Sequence, residues 1–355
     1  MPELMEPLTA AAIQLLVELI GTPSYSREED QTAGRLFHFL AAHGASPQRD
    51  KNNVWAVAPA FDPAKPTLLL NSHHDTVRPG AAWTHDPFAA TWAGDKLIGL
   101  GSNDAGAAAV SLLATFLHLR NQPRAYNLIC AITAEEEISG PHGIADLLPQ
   151  LGPIALGLVG EPTQMQLAVA EKGLLVLDCT ARGRSGHAAR DEGENALYKA
   201  MDDVAWLRQH QLPRVSALLG PVKTTVTQID AGQQHNVVPD ECHFVVDVRT
   251  NELYTNAEVL ALLRQHLHSD ITPRSLRLNS SRIDDQHPLV RRGMALGLRT
   301  YGSPTLSDQA LMPFPTVKIG PGDSARSHTP DEFIQRQEIV EGVRTYVALL
   351  TDLVI

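Results

Sequence analysis

Short apolar runs alternate with helical segments through the first 160 or so residues of the chain. Continuous apolar runs, typical of buried strands, occupy residues 54–58, 67–71, 127–131 and 155–159. Apolar positions recur at helical spacing in residues 9–20, where Thr9 is available as an N-cap, and further helices are predicted at residues 106–120 and 143–148. This alternation predicts an α/β fold built on a parallel sheet with helices on both faces.

The middle of the chain follows a different order. From Gly173 onward the pattern predicts strand, helix, strand, strand, helix and strand, at residues 174–181, 195–209, 223–229, 241–250, 256–267 and 275–278. This order is that of a ferredoxin-like α+β unit. Because the first pattern resumes near His287, we expect one discontinuous domain, residues 1–172 and 281–355, interrupted by an inserted domain at residues 173–280.

Composition narrows the choice of partner. The 355 residues can bury a large core, and 43% hydrophobic with 19% charged residues argues against disorder. The formal charge of -11 disfavours nucleic acid and anionic membranes, since binding to phosphate requires clustered Lys and Arg. A small-molecule partner is therefore expected.

Three features bear on the cellular compartment. Cys130, Cys179 and Cys242 are far apart and lie within apolar runs, so we expect buried, reduced thiols. The N-terminus has no basic segment, and Glu18 interrupts the apolar run that follows. No apolar run approaches the ~20 residues that a membrane span needs. A cytoplasmic location is the expectation.

Polar residues directly after three of the apolar runs carry the candidate chemistry. They are His73, His74 and Asp75 after the second run, Glu135, Glu136 and Glu137 after the third, and Glu161 after the fourth. Ligands of open α/β sheets bind beyond the carboxyl ends of the strands. Any one of these segments also fits a surface or capping role, but their convergence favours a nitrogen and oxygen site suited to Zn²⁺, with Mn²⁺ or Co²⁺ as substitutes.

A glycine-rich segment precedes the predicted helix at residues 106–120. Residues 99–104 read GLGSND, which looks like the beginning of a dinucleotide-binding loop. Such a loop requires a third glycine where Asp104 stands, so nucleotide binding is not expected.

Taken together, these segments resemble those of the family of zinc aminoacylases, acetylornithine deacetylases, succinyl-diaminopimelate desuccinylases and carboxypeptidase G, over essentially the whole chain. The resemblance implies a zinc-peptidase-like parallel or mixed sheet flanked by helices, with the inserted domain as a lid that also dimerises. It implies two Zn²⁺ ions, with His73 and Glu161 on the first, Glu137 and His328 on the second, and Asp104 bridging both.

The same resemblance assigns roles beyond the ligands. Glu136 would be the general base, and Asp75 would fix the tautomer of His73. His187, in the lid segment at residues 183–189, would reach the site of a partner subunit and stabilise the oxyanion, which implies a homodimer joined through the lid. The alternative for His187 is a helix cap.

Two further lid residues match positions that contact substrate. These are Asn236 and Arg249, and the guanidinium of Arg249 suits the α-carboxylate of an amino acid. A structural salt bridge is the alternative for Arg249. The family often continues with Met-Lys-Gly after the bridging Asp, whereas residues 105–107 here are AGA, which weakens assignment to a particular branch.

The sequence therefore predicts a metal-dependent hydrolase of N-acyl amino acids. Acetylornithine or an N-acylated citrulline, in arginine biosynthesis, is the leading expectation because the overall pattern is nearest the acetylornithine deacetylase branch. The enzymatic alternatives are succinyl-diaminopimelate desuccinylase, acetyl-lysine deacetylase, and a dipeptidase or carboxypeptidase. The non-enzymatic alternatives are a catalytically inactive metal-binding assembly protein and a metal-free binding protein.

Overall fold

The computed structural model describes residues 2–355, with side chains described from residue 5 onward. The α-helices of this part of the chain are α1 (Pro2–Ile20), α2 (Asp30–Ala42), α3 (Ala107–Leu119), α4 (Ile144–Leu151), α5 (Ala196–Gln209), α6 (Asn256–His266), α7 (Pro288–Ala295) and α8 (Arg336–Leu350). The strands are β1 (Pro47–Asp50), β2 (Asn53–Val57), β3 (Thr67–His73), β4 (Thr91–Ala93), β5 (Lys96–Ile98), β6 (Asn127–Thr133), β7 (Leu156–Val159), β8 (Leu167–Glu171), β9 (Gly173–Arg182), β10 (Gly186–His187), β11 (Lys223–Ala231), β12 (Val237–Val238), β13 (Glu241–Thr250), β14 (Asp270–Pro273), β15 (Ser281–Arg282), β16 (Thr300–Ser303), β17 (Thr316–Lys318) and β18 (Phe333–Gln335).

The chain divides into two compact units. The larger comprises Met1–Val169, Ile283–Tyr301 and Ser307–Ile355, and the smaller comprises Ala170–Arg282 and Gly302–Leu306. None of the helices in the described part of the chain combines the length and the apolar character needed to span a bilayer.

The larger unit is built on a mixed sheet whose centre is parallel. Its strands run in the order β1-β2-β6-β3-β7-β17-β8, with β3 parallel to both β6 and β7 and with antiparallel pairs toward the two ends. Strands β3 and β6 are buried along their whole length, which explains their continuous apolar sequence. Because neighbouring parallel strands point the same way, the carboxyl ends of β3, β6 and β7 lie at one edge of the sheet.

Helices cover this sheet, as the sequence pattern predicts. Helix α3 lies against β3 and β6 and between α1 and α8, so it is apolar around nearly its whole circumference. Helix α4 packs Ile144 and Leu147 against Leu69 and Ile129 of the sheet.

The smaller unit is a four-stranded antiparallel sheet with two helices. The strand order is β11-β13-β9-β14, and α5 and α6 pack on the sheet. Burial alternates strictly along β9, so one face supplies the core and the other is more exposed. The prediction of an α/β fold with a ferredoxin-like insertion is confirmed.

Two local predictions are wrong. The last strand of the smaller unit is β14, not residues 275–278; Ile271 enters the core, whereas Leu276 is 39% exposed. Thr9 is not an N-cap, because α1 begins at Pro2 and the Thr9 hydroxyl donates back to the Met5 carbonyl inside the helix.

Candidate metal centre

The strand ends bring the acidic and imidazole side chains together. His73 is the last residue of β3, Glu136 and Glu137 follow β6 closely, and Glu161 follows β7. The parallel pairing of β3 with both neighbours therefore places all four residues at the same edge of the sheet.

His73 lies at the centre of this cluster and is buried. Its Nε2 atom is 3.4 Å from Asp104 Oδ1, 3.8 Å from Glu136 Oε2 and 3.7 Å from Glu161 Oε1. Among the described residues this Nε2 atom has no hydrogen-bond partner. A buried ring nitrogen that faces three carboxylates is an arrangement that a cation would satisfy.

Asp104 stands between two histidines. Its Oδ1 atom faces His73, and its Oδ2 atom lies 3.6 Å from Nε2 of His328. His328 Nε2 is also 3.0 Å from Glu137 Oε2. Two overlapping groups of possible ligands result: His73 with Asp104 and Glu137, and His73 with Glu136 and Glu161. The structure thus brings together all five residues that the sequence predicts as ligands, and Glu136 with them.

A positive charge would stabilise this cluster, because its ionised carboxylates are buried close together. Burial raises the pKa of Glu161 to about 8 and that of Glu136 well above its usual range. The charge of Asp308, a buried carboxylate that the sequence analysis missed, also raises the pKa of Glu136. Burial lowers the pKa of His73, but the surrounding carboxylates outweigh it and raise that pKa well above normal. Imidazole and carboxylate donors of this kind fit a divalent cation such as Zn²⁺.

Asp75 fixes both His73 and the glutamate turn. His73 Nδ1 lies 3.0 Å from the Asp75 carbonyl oxygen and 3.4 Å from the carboxylate. The two carboxylate oxygens accept the backbone N–H groups of Glu136 and Glu137, at 3.0 and 3.1 Å. The sequence predicts only the contact with His73, because nothing in the local pattern pairs Asp75 with amides of a distant turn.

The two glycines of the GLGSND segment allow close packing under the site. A Cβ atom on Gly99 would come within 2.4 Å of Ile20, and one on Gly101 within 2.6 Å of Thr76. Gly101 also adopts a left-handed conformation, with φ of 73°. These constraints explain glycine at both positions.

Glu332 is a second residue that the sequence analysis missed. Its buried carboxylate accepts the backbone N–H groups of Gly101, Asn103 and Asp104, at 3.2, 2.8 and 2.8 Å. Burial, together with the charge of Asp104, raises the pKa of Glu332 to about 8, while the three amides lower it. The only signal in the sequence is its place four residues after His328.

The remaining predicted residues lie in the smaller unit. His187, on β10, is exposed, and its Nδ1 atom accepts the N–H of Ala189. The helix-cap alternative for His187 is wrong, because the helix that follows is α5 and Asn195 caps it. Asn236 lies close to His187 along the β10–β12 ribbon, where its carbonyl accepts the N–H of Ala188.

Arg249 occupies a different position in the smaller unit, on β13. Its guanidinium makes a two-point ion pair with Asp247, at 2.8 and 3.0 Å. This is the salt bridge that the alternative interpretation expects. A role for Arg249 in substrate binding stays a prediction.

Comparisons with known proteins agree with the geometry. A family model described as peptidase family M20/M25/M40 matches residues 69–352. A succinyl-diaminopimelate desuccinylase of Cereibacter sphaeroides (strain ATCC 17025 / ATH 2.4.3) is 27% identical over 338 residues, which cover 90% of this chain and 88% of the relative. A second succinyl-diaminopimelate desuccinylase, of Methylobacterium sp. (strain 4-46), is 30% identical over 288 residues, which cover 74% of this chain and 72% of the relative.

The fold also matches a solved structure. A dinuclear metal-binding peptidase of the M20 family from Bacillus subtilis superposes with a TM-score of 0.76 and 16% sequence identity, over 98% of both chains. At 16% sequence identity, this likeness shows that the two proteins share a fold and nothing more.

Proposed function

The chain belongs to peptidase family M20/M25/M40, and from that premise we propose that it hydrolyses the amide bond of an N-succinylated amino acid, with N-succinyl-diaminopimelate as the best-supported substrate. The observation that carries the proposal is the cluster in which Asp104 faces His73 with one oxygen and His328 with the other. The choice of succinyl as the acyl group is supported by the desuccinylases that match this chain along most of its length.

This proposal changes the order of the substrates that the sequence favours. The sequence favours acetylornithine, yet the relatives described above are named for one of the alternatives, succinyl-diaminopimelate desuccinylase. Arginine biosynthesis accordingly drops out of the proposal. The coarser conclusion, a metal-dependent amidohydrolase, holds for either substrate.

We assign two cations to the cluster. His73 and Glu161 would hold the first, Glu137 and His328 the second, and Asp104 would bridge them, with Zn²⁺ preferred for its affinity for imidazole and carboxylate. Divalent cations at such a site supply Lewis acidity, which polarises the scissile carbonyl and makes water nucleophilic near neutral pH.

Glu136 is the proposed general base. Its carboxylate takes a proton from the attacking water as the new C–O bond forms, and returns a proton to the amine nitrogen as the C–N bond breaks. Burial raises the pKa of Glu136, whereas nearby cations would lower it, so the carboxylate can be ionised before the attack and still accept the proton. The Asp75 carboxylate holds the Glu136 amide and thereby orients the turn that carries this base.

His187 is the proposed donor to the oxyanion, acting from a second copy of the chain. The support for this part is the family resemblance, together with the exposure of the His187 ring on β10. The homodimer joined through the smaller unit belongs to the same proposal.

Arg249 provides a first prediction. If its guanidinium binds the substrate carboxylate, Arg249→Ala raises KM about 10- to 100-fold with little change in kcat, the loss expected for a charged hydrogen-bonded contact. The matched control is Arg274→Ala, because Arg274 makes a similar two-point pair with Asp178 in the same unit. Steady-state kinetics distinguish the two, and equal effects of both substitutions would reduce Arg249 to a structural role.

A panel of acylated amino acids tests the substrate itself. We expect kcat/KM for N-succinyl-diaminopimelate to exceed that for the N-acetyl forms of ornithine, citrulline and lysine by a factor of about 10 or more, because an acyl pocket built for a second carboxylate loses a charged contact with acetyl. A preference for acetylornithine would restore the original expectation, and a preference for dipeptides would indicate a peptidase. No hydrolysis by the fully metal-loaded protein would support the inactive alternative.

A further inference from the structure

The loop that carries Asp104 is held by a second loop rather than by the main sheet. Strand β5 ends at Ile98 and pairs with β18, and the ladder continues where Gly99 N–H donates to the Glu332 carbonyl. Beyond that point the chain turns away toward Asp104. Backbone N–H groups of Leu100 and Ser102 donate to the carbonyls of Pro87 and Gly99 at the start of this stretch, and side chains support the residues next to Asp104.

Glu332 supplies the first support. Its Oε1 atom accepts the amides of Asn103 and Asp104, and its Oε2 atom accepts the amide of Gly101. Three backbone N–H groups therefore converge on one buried carboxyl group, and both of its oxygens accept from them. A glutamine side chain satisfies these donors less completely, because one of its two ends is an amide donor.

The side chain of Asn103 supplies the second support for the Asp104 loop. Its side-chain oxygen accepts the N–H of Asp323, and its side-chain nitrogen donates to the Asp323 carbonyl, at 2.9 and 3.1 Å. Asp323 and Glu332 lie on either side of His328 in the chain. The two contacts therefore tie the Asp104 loop to the segment that carries His328.

We propose that Glu332 is a positioning residue for metal binding, which sets the backbone of Asp104 so that its carboxylate faces His73 and His328 together. This inference rests on the proposed function, since it concerns the same cluster. The carboxylate of Glu332 acts through Asp104 and needs no contact with a cation or the substrate. The His73 and Glu161 side of the cluster depends less on it, because His73 ends β3 and Glu161 lies two residues after the end of β7.

The test is metal affinity in the full chain. Metal-free protein is titrated with Zn²⁺ against a chelator indicator, and with Co²⁺ followed by visible absorption. Glu332→Gln is expected to weaken binding of at least one ion about 10- to 100-fold, the range found when groups supporting a metal ligand are altered. The Co²⁺ spectrum is expected to change, because the coordination of Asp104 changes with it.

Asp331→Asn is the matched control. The Asp331 carboxylate accepts the amides of Thr84 and His85, in a loop without site residues. Its backbone is left-handed, with φ of 54°, a conformation that Asn tolerates. We expect the affinity of this variant to stay within about twofold of wild type.

The outcomes separate the inference from the proposed function. Wild-type protein that binds no Zn²⁺ would overturn the proposed function and this inference with it. Wild-type affinity in Glu332→Gln, with or without a lower melting temperature of the metal-free form, would overturn the positioning role alone. If Glu332→Gln fails to fold, Glu332→Asp takes its place, since it keeps the carboxyl group but shortens its reach to the three amides; weakened metal binding supports the role, and unchanged binding refutes it.

Discussion

Glu136→Gln is expected to lower kcat by about 10²- to 10⁴-fold, the usual contribution of a general base, while both cations stay bound. The amide of Gln keeps the shape of the side chain but takes up no proton from water. The Glu136 backbone N–H still donates to Asp75, so the turn is preserved. Steady-state kinetics and metal content, measured on the same preparation, check both halves of the prediction.

The metal content decides between two roles for Glu136. Glu136 forms one group of possible ligands with His73 and Glu161, in which the ligand atoms lie within 4.8 Å of one another. Loss of an ion in Glu136→Gln would make Glu136 a ligand, and turnover near wild type would refute the base assignment. Glu135→Gln is the matched control, because it makes the same change one residue earlier, where the carboxylate accepts the N–H of His142 instead of facing the cluster.

Removing the metal is expected to abolish hydrolysis and to lower the melting temperature, with both restored by Zn²⁺, Co²⁺ or Mn²⁺. A ligand present at 100 times its dissociation constant stabilises the native state by about 2.7 kcal/mol. Chelation followed by calorimetry and activity measurements tests this. Full activity in protein free of all three metals would contradict it.

The metal-free protein should also show a characteristic dependence on pH. Burial raises the pKa of Glu161 from 4.5 to about 8, so the folded protein holds a proton that the unfolded chain has lost, and stability decreases as pH rises between these values. The contact with Glu137 raises the pKa of His328 from 6.5 to about 9; this stabilisation is complete below 6.5 and is lost as pH rises through 9.

Both groups act in the same direction. We therefore expect the melting temperature of the metal-free protein to fall by about 5 °C or more from pH 5 to pH 9, whereas bound cations take the place of the protons and flatten the curve. Asp104 does not offset this trend, because the contact with His73 outweighs burial and lowers its pKa, so it stays ionised throughout. Equal pH dependence with and without metal would contradict the account.

Much of this site could be predicted because several of its ligands lie where buried strands end, a position that can be recognised in the sequence. His73 and Glu161 lie at the carboxyl ends of the buried strands β3 and β7, and parallel pairing of those strands brings such residues together. Asp104 and His328 have no such local signal; they were assigned from the family resemblance, and the structure places them beside the strand-end residues.

The features that were missed depend on contacts between distant segments. Glu332 meets the Asp104 amide across 228 residues of sequence, and Asp75 meets the Glu136 amide across 61. No periodicity encodes such a pairing. The last strand of the smaller unit was misplaced for a related reason: residues 275–278 alternate like a strand, but the pairing with β9 is made by β14.

Above all, we propose that two cations bind to His73, Asp104, Glu137, Glu161 and His328. Anomalous diffraction from zinc-loaded crystals, collected at the zinc absorption edge, tests it most directly. We predict two peaks about 3.5–4 Å apart, both within bonding distance of Asp104, one beside His73 and the other beside His328. Peaks elsewhere on the protein, or none in a fully active preparation, would contradict the account.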